Sequence, residues 1–217
     1  MFNRTIVLAS ASPRRRDLLN EHGCTVRIKP AEVEELMPRH LTVGETTLFN
    51  AKRKARAVAR NENETLVLAA DTLVAIDGRI LGKPADLDEA FEMLSLLSGN
   101  THEVFSGVWI ICPAIRKICG FIDVSRVTFR KIKPMEIREY MSRIGPLDKA
   151  GAYAAQDEHP EGIVECIEGS RTNVIGLPME ALAKMLEAFG AHTSNADISV
   201  TANGCVPEGR PESSPAF

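Results

Sequence analysis

Near the start of the chain, Ile6-Val7-Leu8-Ala9-Ser10-Ala11-Ser12-Pro13-Arg14-Arg15-Arg16-Asp17-Leu18-Leu19 joins a short apolar run to the start of a helix. The run Ile6–Ala9 predicts a buried strand. Pro13 suits the first turn of a helix, where its missing N–H costs nothing, and Ser12 is placed to cap that helix. Free backbone N–H groups, the helix dipole and arginine side chains favour a bound anion here, phosphate above all. An ordinary strand–helix turn with solvated arginines would have the same pattern.

The composition is that of a globular protein. Hydrophobic residues make up 44% of the 217 residues and charged residues 25%, which is enough for one or two modest domains with a core. The net charge of −3 gives no overall attraction to nucleic acid or to an anionic membrane. No apolar run approaches the roughly 20 residues that span a bilayer. We therefore expect neither a nucleic-acid nor a membrane partner, and any phosphate site must be a local concentration of positive charge.

An irregular acidic segment covers residues 29–41 and contains Glu32, Glu34 and Glu35. One interpretation is a solvated acidic loop. The other is that one of these carboxylates faces the junction at Ser10–Arg16 and holds a divalent cation.

A helix is predicted from about Thr46 to Arg60. Its apolar face consists of residues at offsets of three and four, namely Leu48, Ala51, Ala55 and Val58. Lys54 lies at the border of that face, where a lysine either stays solvated or directs its ammonium into a cleft. Arg53 and Arg60 point away from the face and are expected to be solvated.

The strongest candidate for chemistry is Asp71. The apolar run 65–70 predicts a buried strand that ends at Asp71-Thr72, and open α/β sheets carry their chemistry at strand ends. Beyond these two residues, Leu73–Ile76 is expected to continue as strand. A plain turn aspartate is the alternative. Asp77-Gly78 is a strong two-residue hairpin signal, and a short hairpin would return Lys83 to the neighbourhood of Asp71.

The remaining elements are predicted to be mainly structural. Asp86 caps a helix whose buried stripe contains Leu87, and residues 102–112 and 118–130 predict an antiparallel pair. Pro134–Ile144 is an amphipathic helix. In the small-residue loop that follows, Gln156 either reads a nucleobase edge or belongs to an ordinary turn. Arg171–Pro178 predicts a tight loop before the last helix.

Three groups of motifs together resemble the Maf family of nucleoside triphosphate pyrophosphatases. They are LASASPRRRDLL at 8–19, ADTLVAIDGRILGKP at 70–84, and DKAGAYAAQ at 148–156 with RTNVIGLP at 171–178. The resemblance covers about residues 5–189. It implies an α/β fold like that of inosine triphosphatase, with a mixed twisted sheet flanked by helices and two lobes around a central substrate cleft. We accordingly expect one Maf-like domain over residues 1–190. Residues 191–217 are rich in Ser, Gly, Pro, Asn and Thr, which predicts a disordered tail.

The resemblance also implies an activity. Members of the family act in the cytoplasm, commonly as dimers, and cleave a nucleoside triphosphate between its α- and β-phosphates. The products are a nucleoside monophosphate and pyrophosphate, and a divalent cation takes part, here expected to be Mg²⁺ or Mn²⁺.

Residues carry over from the family one by one. By this resemblance, Asp71 is the proton acceptor, and the phosphates are bound by Ser10, Arg15, Lys54 and Lys83. Glu35 and Asp71 would hold the metal. The segment Val33-Glu34-Glu35 departs from the family's usual Asp-Glu, so that Glu34 remains an alternative ligand.

Substrate preference divides the family. The branch that acts on 7-methyl-GTP has an aromatic residue where Arg14 stands and Asp-Gln where Asp71-Thr72 stands. This chain, with Arg14, Thr72 and Gln156, is similar to the branch that hydrolyses dTTP and UTP. Modified pyrimidine nucleotides are a further substrate class. The alternative from another class is a nucleotide-sensing regulator of septum formation and cell division that acts through a protein partner.

Overall fold

A single mixed sheet runs through the computed structural model, which describes residues 5–62, 65–155 and 162–189. Its strands are β1 (Ile6–Leu8), β2 (Val26–Ile28), β3 (Leu66–Ile76), β4 (Arg79–Leu81), β5 (Thr101–Cys112), β6 (Lys117–Phe129) and β7 (Val164–Glu168). Their order is β2-β1-β3-β5-β6-β7, and β4 pairs with β3. The strand β1 is parallel to β2 and β3, and the other pairs are antiparallel. The mixed sheet expected from the sequence is confirmed.

Helices cover both faces of this sheet. They are α1 (Pro13–Glu21), α2 (Val43–Ala59), α3 (Leu87–Leu97), α4 (Pro134–Ile144), α5 (Arg171–Ile175) and α6 (Met179–Ala188). Even-numbered residues at the start of β3, such as Leu66 and Leu68, pack with α1 and α6, whereas Val67 and Ala69 pack with α2. Because both faces are buried there, β1 and the first part of β3 are continuous apolar runs rather than alternating ones.

The strand expected over Leu73–Ile76 is confirmed, but the expectation that the preceding strand ends at Asp71 is wrong, because both belong to the single strand β3. It continues without a break to Ile76, because Leu73–Ile76 are equally apolar and the ladder with β5 pairs Asp71 with Gly107 and Thr72 with Ser106. Successive residues of a strand point to opposite faces. Asp71 therefore faces α2, and Thr72 faces α1 and α5.

The predicted hairpin between β3 and β4 is confirmed. Asp77 has φ 48° and Gly78 has φ 76°, the left-handed backbone that a two-residue hairpin turn requires at both positions. The turn pairs Leu81 with Val74 and sends the chain back along β3 toward Lys83.

Helix starts differ from the sequence reading in several places. Ser12 is the N-cap of α1, but its side chain makes no capping hydrogen bond; instead its N–H donates to Ser10 Oγ at 3.2 Å. The helix α2 begins at Val43 rather than Thr46, because Thr42 and Glu45 form a reciprocal capping box.

Two further expectations are corrected. Leu87, predicted to be buried, is 56% exposed because it is the first residue of α3 and precedes the buried turns. The segment 171–178, predicted to be a loop, contains the short helix α5, whose N-cap Ser170 accepts a hydrogen bond from the Asn173 N–H.

Gly107 allows α2 to approach the sheet beside Asp71. A Cβ atom at this position would lie 2.2 Å from the backbone nitrogen of Leu48, which is a steric overlap with the backbone of α2. Gly107 is also the ladder partner of Asp71. The backbones of α2 and the sheet therefore approach each other closely beside the carboxylate of Asp71.

A buried histidine makes stability depend on pH. His102 contacts Phe129 and Tyr153 edge-on, and burial lowers its pKa from 6.5 to about 4. The unfolded chain therefore binds the extra proton between these two pH values, and stability present above pH 6.5 is lost as the pH falls through this window. From this group alone we expect a loss of about 2 kcal/mol in the free energy of unfolding between pH 7.5 and 5.

Urea titrations at both pH values measure this loss. The variant His102→Gln keeps a polar group for the hydroxyl of Tyr153, which lies 3.0 Å from His102 Nε2, but it does not titrate. The variant should lose correspondingly less stability on acidification. Parallel losses in the two proteins would contradict the assignment.

Two sequence expectations lie outside the described residues, namely Gln156 and the tail 191–217. Within the described ranges, no helix has the length and apolar character needed to cross a membrane.

Candidate active site

A cavity of about 630 Å³ collects residues from all the motif groups. The residues predicted for the site that line it are Ser10, Arg14, Arg15, Glu35, Lys54, Asp71, Thr72 and Lys83. Pockets of roughly 300–1,000 Å³ are typical for small-molecule ligands. The structure thus brings together every predicted site residue that lies within the described ranges.

Lys54 joins two carboxylates at the floor of the cavity. Its Nζ lies 2.7 Å from Asp71 Oδ1 and 2.6 Å from Glu35 Oε1. Lys54 is only 8% exposed and Asp71 only 3%, so this ion pair is largely removed from water. An ammonium has three N–H donors. The two carboxylates take two of them, and among the described residues the third has no acceptor and can serve a ligand oxygen.

The two carboxyl groups differ in basicity. Burial raises the pKa of Asp71, and the nearby charge of Glu35 raises it further, against the opposing effect of Lys54. Burial also acts to raise the pKa of Glu35, but the charge and hydrogen bond of Lys54, the charge of Lys83 and a hydrogen bond with Asp71 together leave that pKa below its usual value. The two pKa values thus shift in opposite directions, and the raised pKa belongs to the more deeply buried Asp71.

Arg15 connects the junction of β1 and α1 with the motifs at 70–84 and 171–178. Its Nε donates to the carbonyl oxygen of Gly176 at 2.9 Å, its Nη1 to Ser10 Oγ at 3.0 Å and its Nη2 to Thr72 Oγ1 at 3.1 Å. Burial lowers the pKa of this guanidinium, while Asp71 and Glu35 raise it. Within the part of the chain that the structure describes, three of its five N–H donors are engaged in this way, which leaves two for an anion.

Arg14 closes another side of the cavity. Its Nη1 lies 2.8 Å from Asp148 Oδ2, in the short turn Pro146–Asp148 after α4. This ion pair is partly exposed, and such pairs contribute at most about 1 kcal/mol to stability. Its main consequence is positional, because it holds the third motif group against the first.

Lys83 lines the same cavity on the exposed side, and its charge helps to lower the pKa of Glu35. The N–H of Gly151 donates to the carbonyl oxygen of Gly82 at 3.0 Å. Gly151 has φ 68°, and a Cβ atom there would lie 3.1 Å from Val74, so glycine suits this close approach. The segment around Gly151, which follows α4, is thereby held against Gly82, the residue directly after β4.

Sequence reasoning missed Asn50 and placed Arg53 wrongly. Arg53 is not simply solvated, since its Nη1 donates to the carbonyl oxygen of Glu34 at 2.6 Å. Asn50 is buried and hydrogen-bonds to Asp71 and to the backbone of Leu36. The sequence could have pointed to Asn50, because this polar residue lies one helical turn before Lys54 and next to Ala51 on the predicted buried face of the helix.

The metal-ligating side chains in the cavity can hold a divalent cation only together with oxygen atoms of a bound ligand. The described residues contain no group of three or more His, Cys, Asp or Glu side chains that could hold a metal. Asp71 and Glu35 do supply two hard carboxylates close together, on either side of Lys54. Mg²⁺ is commonly held by one or two carboxylates together with substrate phosphates, so this donor set fits a cation that binds with its substrate.

The fold and the cavity define a class of α/β protein with a charged cleft on a mixed sheet. A solved structure with this fold is that of the Staphylococcus aureus Ham1 protein, with a TM-score of 0.51 and 17% identity. The match covers 86% of this chain and 100% of that one, and it shows the fold alone.

The family follows from sequence comparison. The model of the Maf-like proteins matches residues 5–189, and the chain belongs to the Maf family. A curated relative from Pelotomaculum thermopropionicum, named dTTP/UTP pyrophosphatase, is 46% identical over 86% of this chain and 97% of its own length. A relative from Bacillus cereus with the same name is 42% identical over 91% of this chain and 98% of its own length.

Proposed function

We propose that this protein is a nucleoside triphosphate pyrophosphatase that hydrolyses dTTP and UTP to the nucleoside monophosphate and pyrophosphate. The observation that carries the proposal is the cavity in which Asp71, Lys54 and Glu35 meet the arginine-rich start of α1. The names of relatives that align over almost their whole length support the substrate class.

In this proposal Asp71 accepts a proton from the water that attacks the α-phosphorus. Its burial and raised pKa suit a general base, since the ideal pKa of such a group lies near the working pH. The free N–H of Lys54, the exposed ammonium of Lys83 and the remaining donors of Arg15 bind the β- and γ-phosphates. Ser10 contributes its hydroxyl at the start of α1, where the helix dipole also favours negative charge. These groups stabilise the charge that develops as pyrophosphate leaves.

A divalent cation, Mg²⁺ or Mn²⁺, is part of the proposal. Glu35 and Asp71 would hold it together with the triphosphate, and it would supply charge neutralisation at the reacting phosphates. Glu35 is favoured over Glu34, because it is the Glu35 side chain that reaches Lys54 beside Asp71. Arg14, Thr72 and Gln156 are proposed to set the preference for a pyrimidine base. We further propose that the enzyme acts in the cytoplasm as a homodimer.

The test is a product analysis. The purified protein is incubated with Mg²⁺ or Mn²⁺ and with dTTP, UTP, CTP or 7-methyl-GTP. Monophosphate and pyrophosphate from dTTP and UTP are expected. Diphosphate and phosphate would contradict the bond assignment, and turnover of 7-methyl-GTP alone would contradict the branch. Binding without turnover would favour the nucleotide-sensing regulator.

A further inference from the structure

The side chain of Asn50 joins the acidic loop to the central carboxylate. Its Nδ2 donates to Asp71 Oδ2 at 3.2 Å and to the carbonyl oxygen of Leu36 at 3.0 Å. Its Oδ1 accepts a hydrogen bond from the Leu36 N–H at 3.0 Å. The side chain is 1% exposed, so these protein groups take the place of water.

This set of bonds fixes the orientation of the amide. Both Nδ2 hydrogens meet oxygen acceptors, and Oδ1 meets a donor. A flipped amide would place Oδ1 against the carboxylate of Asp71 and the carbonyl of Leu36, with Nδ2 against an N–H. Burial makes such mismatches costly, so a single orientation is strongly preferred.

The loop depends on α2 for its position. Residues 29–37 form neither helix nor strand. In the described structure, α2 makes four hydrogen bonds to residues 34–36, two from Asn50 and one each from Arg53 and Lys54. The two bonds from Asn50 hold the backbone next to Glu35 and so determine where that carboxylate can reach.

The carboxylate of Asp71 is held at both oxygens. Lys54 binds Oδ1 and Asn50 binds Oδ2, so the plane of the carboxylate cannot rotate freely. Each oxygen keeps a further acceptor site for water or a ligand.

We propose that Asn50 is a positioning residue, which sets the distance and orientation of the Glu35 loop relative to the Asp71 carboxylate. This inference rests on the proposed function. Asn50 acts through Asp71 and Leu36 and does not itself touch the reacting atoms. Residues that orient catalytic carboxylates in this way typically contribute about 10–100-fold to activity.

The test uses Asn50→Leu, which removes all three hydrogen bonds, and Asn50→Ser, which leaves room for water but is too short to reach Asp71. The matched control is Thr47→Val, a buried position on the same helix whose hydroxyl bonds only to the carbonyl of Gly44 in the described chain. Both Asn50 variants should lower kcat for dTTP about tenfold or more, with KM within about threefold of wild type. The control should keep wild-type kcat.

Two readouts separate positioning from general loss of structure. Amide hydrogen exchange at Leu36 should accelerate in Asn50→Leu and stay unchanged in Thr47→Val. The effects of Asn50→Leu and Glu35→Gln on kcat should be less than additive, because both disturb the same loop. Additive effects, or wild-type kcat in both Asn50 variants, would overturn the proposal. Absence of turnover by the wild-type protein would instead overturn the proposed function, and the exchange at Leu36 would still test the hydrogen bonds of Asn50.

Discussion

Asp71→Asn should lower kcat for dTTP by about 10² or more, the usual scale for loss of a general base. An amide has nearly the shape of the carboxylate but cannot accept a proton from the attacking water. The substrate phosphates would still meet Lys54 and Lys83, so KM should change little. Initial rates of pyrophosphate release at saturating dTTP measure the effect.

Asp77→Asn is the matched control. It makes the same chemical change at the exposed tip of the hairpin that follows β3, where φ is 48° and asparagine is well tolerated. This variant should retain wild-type kcat. Near-full activity of Asp71→Asn would refute the assignment of Asp71 as the base, whatever the control shows.

The pH dependence of the wild-type enzyme follows from the same carboxylate. Burial raises the pKa of Asp71, and the group works only when deprotonated. Activity should therefore be present above that pKa and fall as the pH drops through it. The fall in kcat should begin at a higher pH than an exposed aspartate would produce, and a pH–rate profile measures where it begins.

Much of the fold was accessible from local patterns. The hairpin at Asp77-Gly78 and the helix Pro134–Ile144 were predicted correctly, because a two-residue turn and a proline at a helix start act within a few residues. The unbroken passage of β3 through Asp71 and Thr72 was not accessible in this way. A carboxylate inside an apolar run resembles the end of a strand, and the cation that makes its burial possible, Lys54, belongs to another element.

The candidate site also contains residues that the sequence could predict and residues that it could not. The resemblance to a family brought together residues that now line one cavity, whereas the residue patterns alone left Lys54 and Glu35 with two interpretations each. Asn50 escaped both approaches, because its partners Leu36 and Asp71 are distant in sequence, and because Asn50 and Leu36 lie outside the quoted motifs. Polar side chains on a buried helical face are the signal to look for in such cases.

Lys54→Met should abolish most activity and destabilise the fold. Methionine keeps an unbranched stem for packing but removes the cation that lies between Asp71 and Glu35. Removing one partner of a buried ion pair typically costs about 3–5 kcal/mol, and we expect about 3 kcal/mol here because Asp71 can bind a proton instead. The variant also lacks the free N–H donor, so kcat should fall by about 10² or more.

The stability loss in Lys54→Met should depend on pH in a defined direction. Without Lys54, the folded state holds a proton on Asp71 more tightly than the unfolded state does, so lowering the pH stabilises the variant relative to wild type. Urea titrations should therefore show a deficit that shrinks on acidification. Lys52→Met is the control, because its ammonium lies 5.1 Å from the ring centre of Trp109 rather than between two carboxylates, and it should change stability by less than about 1 kcal/mol. A deficit in Lys54→Met that matches the control, or that grows as the pH falls, would mean that Lys54 does not keep Asp71 ionised.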